Sequence, residues 1–239
     1  MSPVYMYKRK LCHYSGSMED KRITKAEGVI FDMDGILFDT EQVYQKYWHQ
    51  IADEMGITLG EDWVRSITGT NGAYLISIVE KFYHTDNGRA ILEECVRRAS
   101  ESLTKEVPVK KGVREILSFL KEQGIKTAVA SSSAKAWIER YLSVAGISEY
   151  FDEVVSGDEV SHGKPAPDIF LLASSRIGIA PQNCIVFEDS FNGVRAGHAS
   201  GATTVMIPDL LQHTDEIWGL ADEVCGSFLS FLEEKDRFF

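Results

Sequence analysis

Residues 28–41 have the sequence GVIFDMDGILFDTE. The consecutive apolar residues 29–31 predict a short strand that is buried on both faces, as strands of a parallel sheet are. Asp32 and Asp34 follow at once, and Gly35 permits a sharp turn of the backbone. Open α/β sheets bind their ligands at the carboxyl ends of the strands. The paired acids therefore indicate either a functional site or an Asx-rich turn that closes the strand.

The composition excludes several classes of function. The chain has 239 residues, of which 44% are apolar and 26% charged, as is typical of a globular protein. No apolar run approaches the roughly 18 residues of a membrane span, so we expect no membrane partner. The net charge of -11 disfavours a nucleic-acid partner, because phosphate backbones bind positive surfaces. The four cysteines show no CxxC spacing, which predicts reduced thiols and a cytoplasmic location.

The first 25 residues differ from the rest of the chain. They are polar and aromatic, with basic residues at 8–10 and 21–22, and they lack the apolar region of a signal peptide. Glu19 and Asp20 also interrupt what would otherwise resemble a transit peptide. We therefore interpret residues 1–27 as an N-terminal extension outside the folded domain.

A helical segment is predicted between Thr40 and Val107. Thr40 or Asp39 could cap its first helix, in which apolar residues such as Tyr44 and Trp48 recur at helical spacing. Further helices are predicted near residues 63–67, 74–83 and 89–105. We expect residues 41–107 to form a compact helical insert.

Beyond Val107-Pro108, predicted strands alternate with predicted helices. The strands lie at 126–130, 153–156, 184–187, 203–207 and 223–224, and helices of 10 or so residues separate most of them. This alternation is typical of βαβ crossovers. The fold class is therefore predicted to be α/β. Its Rossmann-like core, residues 28–40 and 108–239, would be a parallel sheet with helices on both faces.

Polar groups follow several of these predicted strands. Because the carboxyl ends of parallel strands lie along one edge, we expect these groups to converge. Converging carboxylates repel one another unless a cation is present, and hard oxygen ligands suit Mg²⁺. A lysine and a serine hydroxyl beside a metal suit a phosphate group, which indicates phosphoryl transfer. The groups are Asp32, Asp34, Ser131, Lys164, Glu188 and Asp189.

In this ordered set the chain resembles the haloacid dehalogenase superfamily of phosphohydrolases, in the branch that includes β-phosphoglucomutase and small-molecule phosphatases. The resemblance runs from about Gly28 to the C-terminus and covers four motifs. They are DMDG at 32–35, the serines that follow the strand at 126–130, GKPAPD at 163–168, and EDS at 188–190 with Gly193. The helical insert occupies the place of that family's cap domain.

The resemblance implies a role for each matched position. Asp32 would attack phosphorus and form an aspartyl-phosphate, and Asp34 would act as general acid and base. Ser131, Ser132 and Lys164 would bind the phosphoryl group.

The resemblance also implies a Mg²⁺ site. Its ligands would be the Asp32 carboxylate, the Asp34 backbone carbonyl and the Asp189 carboxylate. Glu188 would be a neighbouring or occasional direct ligand. The acid at Asp34 favours cleavage of a P–O bond, since an alkoxide leaving group needs a proton.

The expected activity is hydrolysis of a small phosphorylated metabolite such as a sugar phosphate, by a monomer or weak dimer. A phosphosugar mutase is the alternative. Mutases resemble this chain but carry a histidine where it has Tyr44, and an arginine in a cap loop that here (residues 68–72) has none. His49 could replace that histidine, although a helix-surface role is the simpler interpretation. A non-catalytic binding module is a third interpretation, which the intact motif aspartates disfavour.

Removing the extension tests this division of the chain. Deletion of residues 1–25 should leave phosphate-releasing activity and melting temperature unchanged, because the predicted domain begins after them. Activity assays and thermal melts of the full and shortened chains measure this. A large loss of either would contradict the prediction.

Overall fold

The computed structural model describes residues 25–67, 70, 72–209 and 214–239. The predicted extension up to residue 24, Cys12, and Thr68, Gly69 and Asn71 of the loop at 68–72 lie outside the described residues.

A six-stranded parallel sheet forms the centre of the fold. Its strand order is β3-β2-β1-β4-β5-β6, so β1 is a central strand that lies between β2 and β4. The strands are β1 (Gly28–Phe31), β2 (Lys126–Ser131), β3 (Glu153–Ser156), β4 (Cys184–Glu188), β5 (Thr203–Met206) and β6 (Glu223–Val224). The predicted α/β class and parallel sheet are confirmed.

Ten α-helices are present in the described residues. The first four are α1 (Thr40–Glu54), α2 (Glu61–Ile67), α3 (Gly72–Tyr83) and α4 (Gly88–Leu103). The others are α5 (Val113–Gln123), α6 (Lys135–Ala145), α7 (Asp168–Ile177), α8 (Phe191–Ser200), α9 (Asp215–Leu220) and α10 (Phe228–Glu233). None of the described helices is both long and apolar enough to span a bilayer.

Helices cover both faces of the sheet because the side chains of β1 alternate between two cores. Val29 and Phe31 pack into one cluster together with side chains of α5, α6 and α10. Ile30 packs into the other with side chains of α7, such as Phe170, and of α8, such as Ala196. A strand buried on both faces must be apolar at every position, which is why GVIF could be recognised from the sequence.

The helices α1–α4 have a hydrophobic cluster of their own. Trp63 is fully buried at its centre, with ring centroids 5.4 Å from Trp48, 5.7 Å from Tyr83 and 5.3 Å from Phe82. Its indole N–H donates to Oε1 of Gln45 over 3.1 Å. The described part of residues 40–107 contains only helices and connecting loops, as predicted.

Two chain segments join this helical unit to the sheet, and they lie side by side. The Asp39 N–H donates to the Pro108 carbonyl, the Lys110 N–H donates to the Leu37 carbonyl, and Phe38 forms an antiparallel bridge with Val109. The predicted linker at Val107-Pro108 is therefore paired with the segment that leads from the DMDG motif into α1.

Several details differ from the sequence-based expectations, among them the end of β5, which lies at Met206 rather than at residue 207. The strands β2 and β4 each include one residue more than predicted, so Ser131 and Glu188 are strand residues. Helix α1 has Asp39 at its N-cap, but no side chain caps it. Helix α9 was not predicted, because only Ile217 of this short helix is buried in the neighbouring core cluster. The described cysteines, Cys95, Cys184 and Cys225, are free thiols, as expected.

The helical cluster can be tested with Trp63→Ala. Removing a fully buried indole should lower the free energy of unfolding by about 3–5 kcal/mol, measured by urea denaturation. Met55→Ala is the matched control, since Met55 is 47% exposed and its loss should change stability by about 0.5 kcal/mol or less. Equal stabilities for the two variants would contradict the packing described here.

Candidate active site

Asp32 lies at the carboxyl end of the central strand. Its N–H donates to the Phe187 carbonyl over 3.0 Å, which continues the pairing of β1 with β4 by one residue. Gly35 then has φ of +79° and turns the chain away from the sheet. A side chain at Gly35 would not fit, since its Cβ would lie 2.2 Å from Oδ2 of Asp189. The turn thus places the first acidic motif directly against the fourth.

Lys164 is the only cation hydrogen-bonded to Asp32 in the described structure. Its Nζ donates to Oδ1 of Asp32 over 2.5 Å, to Oε1 of Glu188 over 2.7 Å and to the Ala130 carbonyl over 3.3 Å. The ammonium also lies 4.9 Å from the ring centroid of Phe170. Burial disfavours its charge, but the two carboxylates outweigh burial and raise the pKa of Lys164 above its usual value. Lys164 is therefore a charged group that joins three strand ends.

Glu188 is fixed through both carboxylate oxygens. Oε1 accepts from Lys164, while Oε2 accepts from the N–H groups of Asp189 and Ser190, both over 2.9 Å, and from Oγ of Ser190 over 3.0 Å. Gly193 is required beside it, because a Cβ there would lie 1.7 Å from Oε1. Glu188 thus shapes the turn that presents Asp189.

Three carboxylates come together at this point. Oxygen atoms of Asp32, Glu188 and Asp189 all lie within 4.8 Å of one another. Burial, followed by the charges of Glu188 and Asp32, raises the pKa of Asp189 well above its usual range. Burial also raises the pKa of Asp32 to about 7, despite the opposing effect of Lys164. Among the described hydrogen bonds, none involves the Asp189 side chain, so this group has the donor set and excess charge that suit a hard cation.

Asp34 is not one of these three clustered carboxylates and is held by two hydroxyl groups. Oγ1 of Thr40 donates to its Oδ1 over 2.9 Å, and Oγ of Ser133 donates to its Oδ2 over 3.3 Å. Burial raises the pKa of Asp34, and both hydroxyls and Lys164 lower it in part. A carboxyl group with a raised pKa and a fixed orientation is suited to proton transfer.

The three consecutive serines at the end of β2, residues 131–133, have different environments. Ser131 is buried, and its Oγ accepts from the Ser133 N–H over 3.1 Å. Ser132 is exposed, and its backbone packs against Gly157. Ser133 contacts Asp34, although the sequence-based interpretation placed phosphate contacts on Ser131 and Ser132. The binding roles of Ser131 and Ser132 stay predictions.

An ion pair that no sequence motif indicated lies next to the DMDG loop. Nζ of Lys110 donates to the Gly35 carbonyl and to Oδ1 of Asp209, both over 2.7 Å. Both side chains are largely buried. The contacts of Thr40 and Ser133 with Asp34 were likewise not evident from the motifs. A hydroxyl at residue 40 could have been noted from the sequence, but it was interpreted as a helix cap.

A cavity of about 470 Å³ opens beside Asp34, between the helical unit and the sheet domain. Helices α1 and α4 line one side and α6 the other. Besides Asp34, its wall includes Glu41, Tyr44, Val96, Ser100, Trp137 and Tyr141. The carboxylates of the sheet edge therefore adjoin a space that could hold an organic group.

The parallel sheet, the Asp-x-Asp loop, the buried lysine and the second acidic pair together define an α/β phosphohydrolase. The family model of the haloacid dehalogenase-like hydrolases matches residues 29–207. The chain belongs to this family, as its motifs indicated, and is a phosphohydrolase enzyme.

Several of the relatives are named as phosphatases, and some of the related solved structures are named as β-phosphoglucomutases. A phosphorylated carbohydrates phosphatase of Thermotoga maritima is 37% identical over 179 residues, covering 73% of this chain and 82% of the relative. A fructose-1-phosphate phosphatase of Escherichia coli is 32% identical, covering 74% of this chain and 94% of the relative. A hydrolase of the same family from Deinococcus radiodurans, solved with bound phosphate and sodium, has a TM-score of 0.77 at 26% identity; the match covers 89% of this chain and 97% of that one.

The contact between the first and fourth motifs can be tested with Gly35→Ala. The new Cβ must displace the Asp189 carboxylate, so phosphate-releasing activity should fall at least about tenfold. Gly124→Ala is the control, since Gly124 also has positive φ, +68°, but no atom lies within 4 Å of the position that its Cβ would take. Both variants should lose about 1–2 kcal/mol of stability from the strained φ. Equal activity in the two variants would contradict a role for this contact.

Proposed function

We propose that the protein is a Mg²⁺-dependent phosphatase that hydrolyses a small phosphate monoester, a sugar phosphate, through an aspartyl-phosphate intermediate. The observation that carries this proposal is the different surroundings of the two motif aspartates. Asp32 is paired with the Lys164 ammonium, whereas Asp34 is held by hydroxyl groups at the mouth of the cavity. One acid is thereby suited to attack and the other to carry a proton.

The metal would be held by Asp32, by the Asp34 backbone carbonyl and by Asp189. Glu188 would contribute less, because both its oxygens already accept hydrogen bonds. Bound Mg²⁺ would offset the repulsion among the carboxylates and the charge of the phosphate group.

The nucleophile would be Oδ2 of Asp32, since Oδ1 accepts the bond from Lys164. Attack on phosphorus forms the Oδ2–P bond and breaks the bond from phosphorus to the leaving oxygen. Lys164 and Ser131 would hold the phosphoryl oxygens, and Lys164 would keep Asp32 oriented.

Asp34 would donate its proton to the leaving oxygen in the first step. It would then take a proton from the water that attacks phosphorus in the second step, which releases phosphate and restores Asp32. Thr40 and Ser133 would hold its carboxyl group in place for both transfers.

Residues 41–107 would serve as a cap that covers the cavity during the reaction. Their separate hydrophobic cluster and the two adjacent linker segments support this division. The relatives that act on phosphorylated carbohydrates and on fructose 1-phosphate support a sugar phosphate as the substrate. We also propose that the protein is located in the cytoplasm and that it is a monomer or a weak dimer.

The first experiment measures phosphate release from sugar phosphates, nucleotides and p-nitrophenyl phosphate, with Mg²⁺ and with EDTA. Release should require Mg²⁺ and should fall at least about 1000-fold in Asp32→Asn, equal to about 4 kcal/mol of activation free energy. Asp53→Asn, in an exposed position on α1, should retain activity. Metal-independent release, or an active Asp32→Asn, would contradict the mechanism.

The same preparations distinguish a phosphatase from a phosphosugar mutase. The mutase alternative would convert β-glucose 1-phosphate to glucose 6-phosphate with little release of phosphate. Tyr44 in place of the mutase histidine supports hydrolysis. Conversion without release would favour the mutase, and silence in both assays would favour a binding module.

A further inference from the structure

The cavity beside Asp34 has a distinctive charge. Of the described residues that line it, Asp34 and Glu41 are acidic, and none is a lysine or an arginine. The nearby cations of the sheet edge are already paired: Lys164 with Asp32 and Glu188, and Lys110 with Asp209. A ligand group in this cavity therefore meets carboxylates without a compensating cation.

Glu41 can accept hydrogen bonds from such a group. Its Oε1 accepts from Nε2 of Gln45 over 2.7 Å, and no described hydrogen bond reaches its Oε2. The hydroxyl groups of Tyr44 and Ser100 line the same space. Sugar hydroxyls donate well to a carboxylate, whereas a second phosphate or a carboxylate would be repelled by it.

The rim of the cavity carries apolar surface that the described residues leave partly exposed. Trp137 on α6 and Val96 on α4 are each 42% exposed, and both line the cavity. The Trp137 ring rests at a tilt against that of Tyr141, with a centroid distance of 5.8 Å, so it is supported in place. An aromatic face beside hydrogen-bond acceptors suits the C–H and O–H groups of a polyol.

We infer that this cavity selects a neutral, polyhydroxylated leaving group and rejects esters that carry a second anionic group, with Glu41 as the specificity-determining residue and Trp137 as an apolar contact for the polyol. The inference rests on the proposed phosphatase function. It narrows the substrate class to monophosphates of neutral sugars and polyols.

Matched substrate pairs test the inference. Sorbitol 6-phosphate and 6-phosphogluconate differ in a terminal CH₂OH or carboxylate, and fructose 1-phosphate and fructose 1,6-bisphosphate differ in a second phosphate. In each pair kcat/KM should favour the neutral member by about 100-fold. Equal kcat/KM for the two members of a pair would overturn the inference. It would also be overturned if the enzyme hydrolysed p-nitrophenyl phosphate but none of the polyol phosphates. Release from no substrate at all would instead contradict the proposed function.

Three variants assign the selectivity to the named residues. Glu41→Gln should reduce the neutral-to-anionic preference at least about tenfold. Trp137→Ala should raise KM for both members of a pair to a similar extent, since both contain the polyol, and so preserve that preference. Val96→Lys, which adds a cation at an exposed position, should raise kcat/KM for the anionic member. If Glu41→Gln folds poorly, the increase in kcat/KM expected for Val96→Lys still tests the inference, and the absence of an increase would contradict it.

Glu101→Gln is the matched control. Glu101 lies on α4 next to Ser100, but its side chain is 62% exposed and pairs with Arg97 outside the cavity. Its substitution should leave the preference unchanged. If Glu101→Gln altered the preference as much as Glu41→Gln does, the selectivity would arise from general surface charge and the assignment to Glu41 would be wrong.

Discussion

The rest of the site depends on the hydrogen bonds that the buried Lys164 ammonium donates. Three carboxylates lie within 4.8 Å of one another at the edge of the sheet, and their repulsion would oppose folding if no cation were near. Lys164 bonds to two of them and to the Ala130 carbonyl of β2. Removing one partner of such a group leaves a buried charge unpaired, which is far costlier than the loss of a surface ion pair. The loop before α7, which carries Lys164, therefore has to lie against the carboxyl ends of the strands.

One lysine cannot neutralise the charge of three carboxylates. The turn after β4 stabilises the charge of one of them, Glu188, with hydrogen bonds. Oε2 of Glu188 is stabilised by two backbone N–H groups and a hydroxyl, so its charge is satisfied without a second cation. Asp189 lacks such donors among the described hydrogen bonds. The charge that remains is thus concentrated on Asp189, where the proposed metal would bind, and on the free oxygen of Asp32, the proposed nucleophile.

Much of this site could be predicted from the sequence, because parallel topology brings the carboxyl ends of strands to one edge. An apolar run such as GVIF predicts a buried strand, and acids directly after it must then lie at that edge. Side-chain contacts could not be predicted in the same way. Which of the consecutive serines approaches Asp34 depends on the backbone after β2, and the answer is Ser133. The Lys110–Asp209 pair joins residues 99 apart in two loops, where no periodic pattern indicates a contact.

The position of Lys110 matters because it belongs to the linker as well as to the site. Its backbone N–H bonds to Leu37, beside the Phe38–Val109 bridge, while its ammonium bonds to the Gly35 carbonyl. The linker and the DMDG loop are thus one hydrogen-bonded unit. Gly35 in turn contacts Asp189, so the geometry of the acidic cluster is tied to the segment that leads to the helical unit. A substitution in this linker should therefore be judged by its effect on Asp189 as well as on the orientation of the helices.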